Sequence, residues 1–185
     1  MTSSPESFSA IVASHDNETG LRKMLGNLIY QTRPPDEVIV LVSGVTPAEL
    51  NSLKEDFSFV TFLPRENRND WGHEKRSEGV ELANKDWLGF FNDDDSYSRH
   101  YLERMFAVSE DADVVYCSWN TVPLCRFALA SSTSGNFIVR SELAKRVGYM
   151  SRAYEADGRF IEALKAEGAR VNRVDELLYF HNVQH

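Results

Sequence analysis

The chain has 185 residues, with 28 Asp plus Glu against 20 Lys plus Arg and a formal net charge of -8. That length fits one domain, which at this size buries roughly 70% of its extended-chain surface and needs no disulfide or metal staple. The 42% hydrophobic and 26% charged composition argues against disorder, and the acidity argues against a broad phosphate-tracking surface while leaving room for a local basic site.

The longest purely apolar run is Val38 to Val42, far short of the ~18 residues needed to span a bilayer. Met1 to Ser7 is polar and acidic, with neither the basic nor the apolar region of a signal peptide. It reads as a flexible tail (residues 1–7) ahead of a single domain (8–185). The two cysteines, Cys117 and Cys125, lie among apolar residues. They are expected to be reduced, buried thiols of a cytosolic protein.

Strand-like runs alternate with helix-period segments. Phe8 to Ala13 predicts a strand running into the polar loop Ser14 to Asn17. Leu21, Met24, Leu25, Leu28 and Ile29 recur at helical spacing, and Pro34-Pro35 stops that helix. Glu37 to Val42 has the β-branched run of a strand buried on both faces. Thr46-Pro47-Ala48-Glu49 opens a helix with a capping box. Phe59 to Leu63 predicts a third strand, and Asp70 to Asn84 a helix whose Gly72 and Gly79 imply close packing or ligand approach. Trp87 to Phe91 is a strand ending in acids. Tyr101, Leu102, Met105 and Phe106 mark a helix, and Asp113 to Trp119 another strand. Thr121 to Gly135 reads as irregular and Asn136 to Arg140 as extended. Phe160, Ile161 and Leu164 mark a last helix, followed by strands Val171 to Val174 and Leu177 to Phe180. This alternation predicts an α/β fold, a mostly parallel sheet flanked by helices on both faces. The ligand crevice is expected at the carboxyl ends of the strands.

Four groups there have residues suited to chemistry. Asn92-Asp93-Asp94-Asp95 puts three carboxylates side by side at a strand end. They repel one another unless a cation or solvent relieves them, and carboxylate oxygen suits Mg²⁺ or Mn²⁺. A solvated turn with a helix cap is the alternative. Arg76 can hold a diphosphate bidentately, or can simply belong to a solvated helix face. Glu155 and Asp157 open a helix, where a carboxylate suits either the dipole or a general base. His181 and His185 are each a possible metal ligand or a surface residue.

The order of these features resembles family 2 glycosyltransferases. Phe8 to Asp16 is similar to that family's opening strand. Gln31-Thr32-Arg33-Pro34-Pro35-Asp36-Glu37-Val38-Ile39-Val40 resembles its Q-T-x-x-P-x-E-I-I-V run, and Gly72 to Gly79 its G-x-x-x-A-R-N-x-G segment. Trp87 to Glu103 resembles its F-L-D-x-D-D-x-x-x-P-x-Y-L-E block. Asn136 to Arg140 with Val147-Gly148-Tyr149, then Tyr154 to Leu164, resembles its Glu-Asp motif and helix. The likeness runs from about Phe8 to about His181.

It implies a GT-A-type (Rossmann-like) fold, a nucleotide-diphospho-sugar donor such as a UDP- or GDP-sugar, Mn²⁺ or Mg²⁺, and transfer to an acceptor hydroxyl with inversion. By the same resemblance Ala13, Ser14, His15 and Ser43 line the nucleoside pocket, and Arg76, Asn92 and Asp93 contact the donor. Asp94, Asp95 and His181 hold or cover the metal, and Asp157 or Glu155 is the base. The acceptor is left open between a glycan, a protein, a small molecule and a modified nucleobase, and Thr121 to Gly135 is expected to shape its site. Trp119 and Phe127 are candidates for sugar stacking or core packing.

Three positions depart from the pattern. Strand two ends Val42-Ser43-Gly44-Val45 instead of Asp-Asp-Gly-Ser, Asn92 replaces the first acid of D-x-D, and Ala156 separates Glu155 from Asp157. A nucleotide-sugar-binding module without turnover is the competing expectation. A phosphohydrolase would want its acids after the first strand, and a nucleotidyltransferase a glycine-rich loop there.

Overall fold

A computed structural model describes residues 6–120, 126, 132–149 and 155–181. Met1 to Pro5, Cys125, Phe127, Tyr154, His185 and most of the Thr121 to Gly135 segment lie outside the described residues.

The strands are β1 (Phe8–His15), β2 (Glu37–Ser43), β3 (Thr61–Pro64), β4 (Trp87–Asn92), β5 (Ser96–Tyr97), β6 (Val114–Trp119), β7 (Phe137–Arg140) and β8 (Val171–Phe180). The helices are α1 (Glu18–Ile29), α2 (Pro47–Asp56), α3 (His73–Leu82), α4 (Tyr101–Phe106), α5 (Ser141–Val147) and α6 (Ala156–Ala166). One sheet runs in the order β3-β2-β1-β4-β7-β6-β8-β5. The half from β3 to β4 is parallel. The other half is mixed, because β7 lies antiparallel to both β4 and β6 while β6 and β8 are parallel. Four of the seven pairings are parallel, so the sheet is mostly parallel as expected, with the antiparallel pairings made by β7 and β5.

Alternation along the strands divides the core into two layers. Phe8, Ala10 and Val12 of β1 and Val38, Val40 and Val42 of β2 pack with Leu21, Met24, Leu25 and Leu28 of α1, Leu53 of α2 and Leu102 and Met105 of α4. Ile11, Ile39 and Leu41 face the other way, against Val80 of α3, Leu143 and Ala144 of α5 and Phe160, Ile161 and Leu164 of α6. Helices thus cover both faces, which is why β1 and β2 read as unbroken apolar runs.

Local chemistry sets the element ends. Asn17 caps α1 by accepting from Gly20 N–H at 3.0 Å, and the Thr46–Glu49 capping box opens α2 as expected. Gln31 accepts from Leu102 N–H at 3.2 Å and donates to Ser98 O at 2.9 Å, and Thr32 N–H donates to Arg99 O at 2.8 Å. This pair, prominent in the sequence, clamps the loop that enters α4. Gly79 faces β1, where an added Cβ would stand 2.3 Å from Ile11 Cγ2. Ile11 is fully buried and β-branched, so it has no room to turn aside. Gly79→Val is expected to destabilise the fold by about 1–3 kcal/mol, read as a lower urea midpoint with an unchanged slope.

Several elements differ from expectation. Glu6 and Ser7, assigned to the tail, are anchored: Ser7 N–H and Oγ donate to Asp86 Oδ2 at 2.8 and 2.7 Å, and Trp87 Nε1 donates to Glu6 at 3.0 Å. Phe59 is 56% exposed and β3 begins only at Thr61. The short helix α5 follows β7 with no loop between them. The two expected C-terminal strands are one: β8 shifts register between Val174 and Leu177 against β6, so Asp175 and Glu176 bulge out. Two-residue β5 pairs antiparallel to the end of β8, with Ser96 opposite Phe180. Cys117 is buried and free, as expected. Among the described residues no helix is long and apolar enough to cross a membrane.

Candidate active site

A cleft of about 970 Å³ opens at the carboxyl ends of β1 and β4, where strand ends in such sheets gather ligands. Ala13, Ser14 and His15 line it from β1, Asn92, Asp93 and Asp94 from β4, and Gly72, His73, Lys75 and Arg76 from the start of α3. Glu155 and Asp157 at the start of α6, Ser134, Trp119 and His181 close the far side. Most residues named from the sequence thus converge on one cleft, although β4 and α6 are distant in sequence; Ser43 and Asp95 are buried and are not among its lining residues.

The three acids have three environments. Asp93 accepts from Ser14 Oγ at 2.6 Å, and burial pushes its carboxyl above the ordinary range. Asp94 is exposed and makes no hydrogen bond or ion pair among the described residues. Desolvation, then the charges of Asp95 and Asp93, push its carboxyl up as well. Asp95 has a side chain with no exposure at all. It accepts from Asn92 Nδ2 at 2.7 Å, Tyr179 O–H at 2.8 Å and His181 Nδ1 at 2.9 Å. The β5–β8 pairing brings this about, because Ser96 opposite Phe180 sets Asp95 beside His181. Asp95 was expected at the metal; its oxygens are instead engaged by protein donors. The hydrogen bond to Asp95 raises the His181 pKa against the opposing effect of burial.

Helix α3 does not present the solvated charged face weighed from its sequence. His73, Lys75 and Arg76 are 4%, 6% and 7% exposed. Arg76 donates from Nη2 to Asn92 Oδ1 at 2.6 Å and from Nη1 to the Trp71 carbonyl at 2.8 Å. The Asn92 amide, expected to reach the donor, is thereby held between Arg76 and Asp95. Burial disfavours the guanidinium, and Tyr149, Asp157, Tyr179 and Asp95 outweigh it. The backbone leading into α3 is left-handed at Asn69, Trp71 and Gly72, with φ of 52°, 55° and 81°. At Gly72 an added Cβ would also press to 3.2 Å from Ala13 Cβ. Strained segments of this kind cluster at functional sites, and this one leaves Trp71 63% exposed at the rim.

Asp157 sits in the first turn of α6. Tyr149 O–H donates to its Oδ1, and the Ser134 backbone N–H donates to Oδ2 at 3.1 Å. Tyr149 is buried, and the proximity of Asp157 adds to burial in pushing its phenol well above the ordinary value. Glu155 is exposed at the mouth of the cleft, and its carbonyl accepts the Arg159 N–H.

At the other end, β1 and β2 finish side by side with His15 opposite Ser43. Lys75 Nζ donates to the Ser14 carbonyl at 2.8 Å and to Ser43 Oγ at 2.5 Å. His15 Nδ1 is 3.1 Å from the same Ser43 Oγ, and Asn67 Nδ2 meets His15 Nε2 at 2.9 Å.

Sequence reasoning missed Lys75, Tyr149, Trp71 and Asn67. Only Lys75 carried a usable signal, a second cation beside Arg76 between two glycines. Trp119, a stacking candidate, packs its ring 5.4 Å from His181 and 6.2 Å from Tyr179.

The sequence profile of glycosyl transferase family 2 matches residues 9–160. The chain belongs to that family. An uncharacterized glycosyltransferase of Haemophilus influenzae is 28% identical over 103 residues, which is 56% of this chain and 34% of that one. The crystal structure of S. aureus TarS 1-349 superposes with a TM-score of 0.76 at 20% identity, covering 95% of this chain and 60% of that one. The mannosyltransferase PcManGT from Pyrobaculum calidifontis, solved with GDP-Man and Mn²⁺, gives a TM-score of 0.78 at 15% identity over 98% and 58%. The fold is that of the GT-A glycosyltransferases. This family 2 chain spans about a third of the length of the curated relative and about 60% of the solved chains.

Proposed function

We propose that this family 2 chain transfers a sugar from a nucleotide-diphospho-sugar to an acceptor hydroxyl, with inversion and with Asp157 as general base. The observation that carries the reading is the pair of unlike carboxylates in one cleft: Asp94, exposed and unbonded, and Asp157, gripped by two donors. TarS has also been solved with UDP-GlcNAc, and PcManGT with GDP-Man and Mn²⁺.

The residues fit a hard divalent cation sparsely. Among the described residues no three His, Cys, Asp or Glu side chains form a ready ligand cluster. Mg²⁺ and Mn²⁺, however, are commonly held by one or two carboxylates plus waters and substrate phosphates. Asp94 supplies such a carboxylate; desolvation first, and then the charges of Asp95 and Asp93, disfavour its ionised form, and a cation would offset both. His181 is proposed as a neighbouring contact for the ion or the diphosphate. When bound, the ion would neutralise the departing diphosphate.

The chain's own groups do the rest. Arg76, fixed by Asn92 and Trp71, gives the anionic donor a buried positive field. Tyr149 and the Ser134 N–H aim the Asp157 carboxylate. The acceptor oxygen attacks the anomeric carbon as the bond to the diphosphate breaks, and Asp157 takes the hydroxyl proton. Asp157 suits this better than Glu155, since an exposed carboxylate at the mouth that no described residue holds is poorly oriented.

The first test is thermal stability with nucleoside diphosphates, with and without Mn²⁺. A ligand that binds only the native state raises Tm by mass action. Asp94→Asn is expected to raise the Tm of the unliganded protein at neutral pH. The sign follows from linkage: a carboxyl whose folded pKa is raised opposes folding once ionised, and the amide removes that charge. The same change is expected to abolish the Mn²⁺-dependent part of the nucleotide shift. An unchanged Mn²⁺ increment would remove Asp94 from the site. A donor that binds and is never transferred would leave a nucleotide-sugar-binding module.

A further inference from the structure

Lys75 is a buried ammonium with no ion pair among the described residues; its two partners are a backbone carbonyl and a serine hydroxyl. Isolated buried charges are costly, and the third N–H of an ammonium needs an acceptor. Desolvation pulls the Lys75 pKa down, and Asp70 and Asp93 oppose it from a distance.

The neighbouring hydrogen bonds fix the direction of the rest. Asn67 Oδ1 accepts the Asn69 N–H at 3.0 Å, which orients the amide so that Nδ2 donates to His15 Nε2. With Nε2 accepting from Asn67, the His15 tautomer that fits both contacts places its proton on Nδ1, which donates to Ser43 Oγ. Ser43 Oγ thus accepts twice, from His15 and Lys75, and its own hydrogen must be given away. No described residue receives it. Two donors, Lys75 N–H and Ser43 O–H, stand 2.5 Å apart at the end of β2 with no carboxylate paired to them.

The subsite lies two strands from Asn92, about 10 Å across the sheet at about 4.8 Å per strand. A nucleoside diphosphate with its phosphates near Arg76 and Asp94 would lay its base there. This step rests on the donor reading above. We propose that Lys75 and Ser43 select a nucleobase edge with two neighbouring acceptors, a carbonyl oxygen and an unprotonated ring nitrogen, as in O2 and N3 of cytosine or O6 and N7 of guanine. Uracil presents an N–H between its carbonyls and would bury that donor unpaired; adenine offers no carbonyl.

Isothermal titration with CDP, GDP, UDP and ADP in Mn²⁺ tests this. CDP or GDP is expected to bind about tenfold or more tightly than UDP. Lys75→Met, which keeps the buried stem, is expected to erase that preference while far-UV dichroism and melting remain native. Should Lys75→Met fail to fold, Ser43→Asp, which puts an acceptor beside Lys75, is expected to move the preference toward UDP. UDP binding tightest to the unaltered chain, or a preference unmoved in the folded variant, overturns the assignment and leaves the donor reading standing. Failure of every diphosphate to bind overturns both.

Discussion

Asp157→Asn is expected to lower kcat for sugar transfer by about 10²–10⁴-fold, the usual contribution of a positioned general base. Donor affinity is expected to be unchanged, since the base acts on the acceptor proton. Both Asp157 oxygens accept hydrogen bonds, from Tyr149 O–H and Ser134 N–H. An amide can satisfy only one of those donors, so a small loss of stability accompanies the kinetic loss. Tyr149→Phe separates aim from chemistry. It leaves the carboxylate with the Ser134 contact alone and is expected to reduce kcat by less, with KM for the donor unaffected. The rival role is a favourable charge in the first turn of α6, worth about 0.3–1 kcal/mol. That role predicts a lower Tm and ordinary turnover for Asp157→Asn. Steady-state kinetics alongside melting therefore decide between them.

How much of this was readable depended on range. β1 and β2 were legible because each is covered on both faces, so Ile11, Val12, Val38 and Val40 all had to be apolar. The Thr46 box and the Pro34-Pro35 stop were legible because caps and breakers act within four residues. β5 left no such trace: two residues carry no periodicity, and Ser96–Tyr97 is a strand only because β8 pairs with it. The same long-range pairing decided the fates of the acids. Asp93, Asp94 and Asp95 are chemically identical in the sequence, yet β8 draws Asp95 into the interior and Ser14 takes Asp93. The charged start of α3 misled for a related reason. His73, Lys75 and Arg76 are polar residues on a buried face, and only the floor of a polar cleft makes that arrangement tolerable.

Asp95→Ala is expected to cost about 3–5 kcal/mol, the penalty for breaking a buried charged network by removing one partner. Asn92 Nδ2, Tyr179 O–H and His181 Nδ1 would all lose the acceptor they share. For a domain of this size that corresponds to a Tm about 6–20 °C lower. The β5–β8 junction and the Asn92–Arg76 contact loosen together, so donor affinity falls with stability. Asp95→Asn, which keeps the volume, isolates the His181 part. His181 has its folded pKa raised, chiefly by the Asp95 hydrogen bond. Its stabilisation is therefore full below the ordinary imidazole value of about 6.5 and is lost as pH rises through the higher folded value. The Tm gap between the unaltered chain and Asp95→Asn should be widest in mild acid and narrow as the pH climbs past that value. A metal ligand behaves differently. Removing it would not lower the metal-free Tm and would weaken the Mn²⁺ response, the pattern expected of Asp94→Asn. Melting curves of Asp95→Ala in chelator and in Mn²⁺ thus assign Asp95: a large loss in chelator makes it the hub that holds His181 and Asn92 in place.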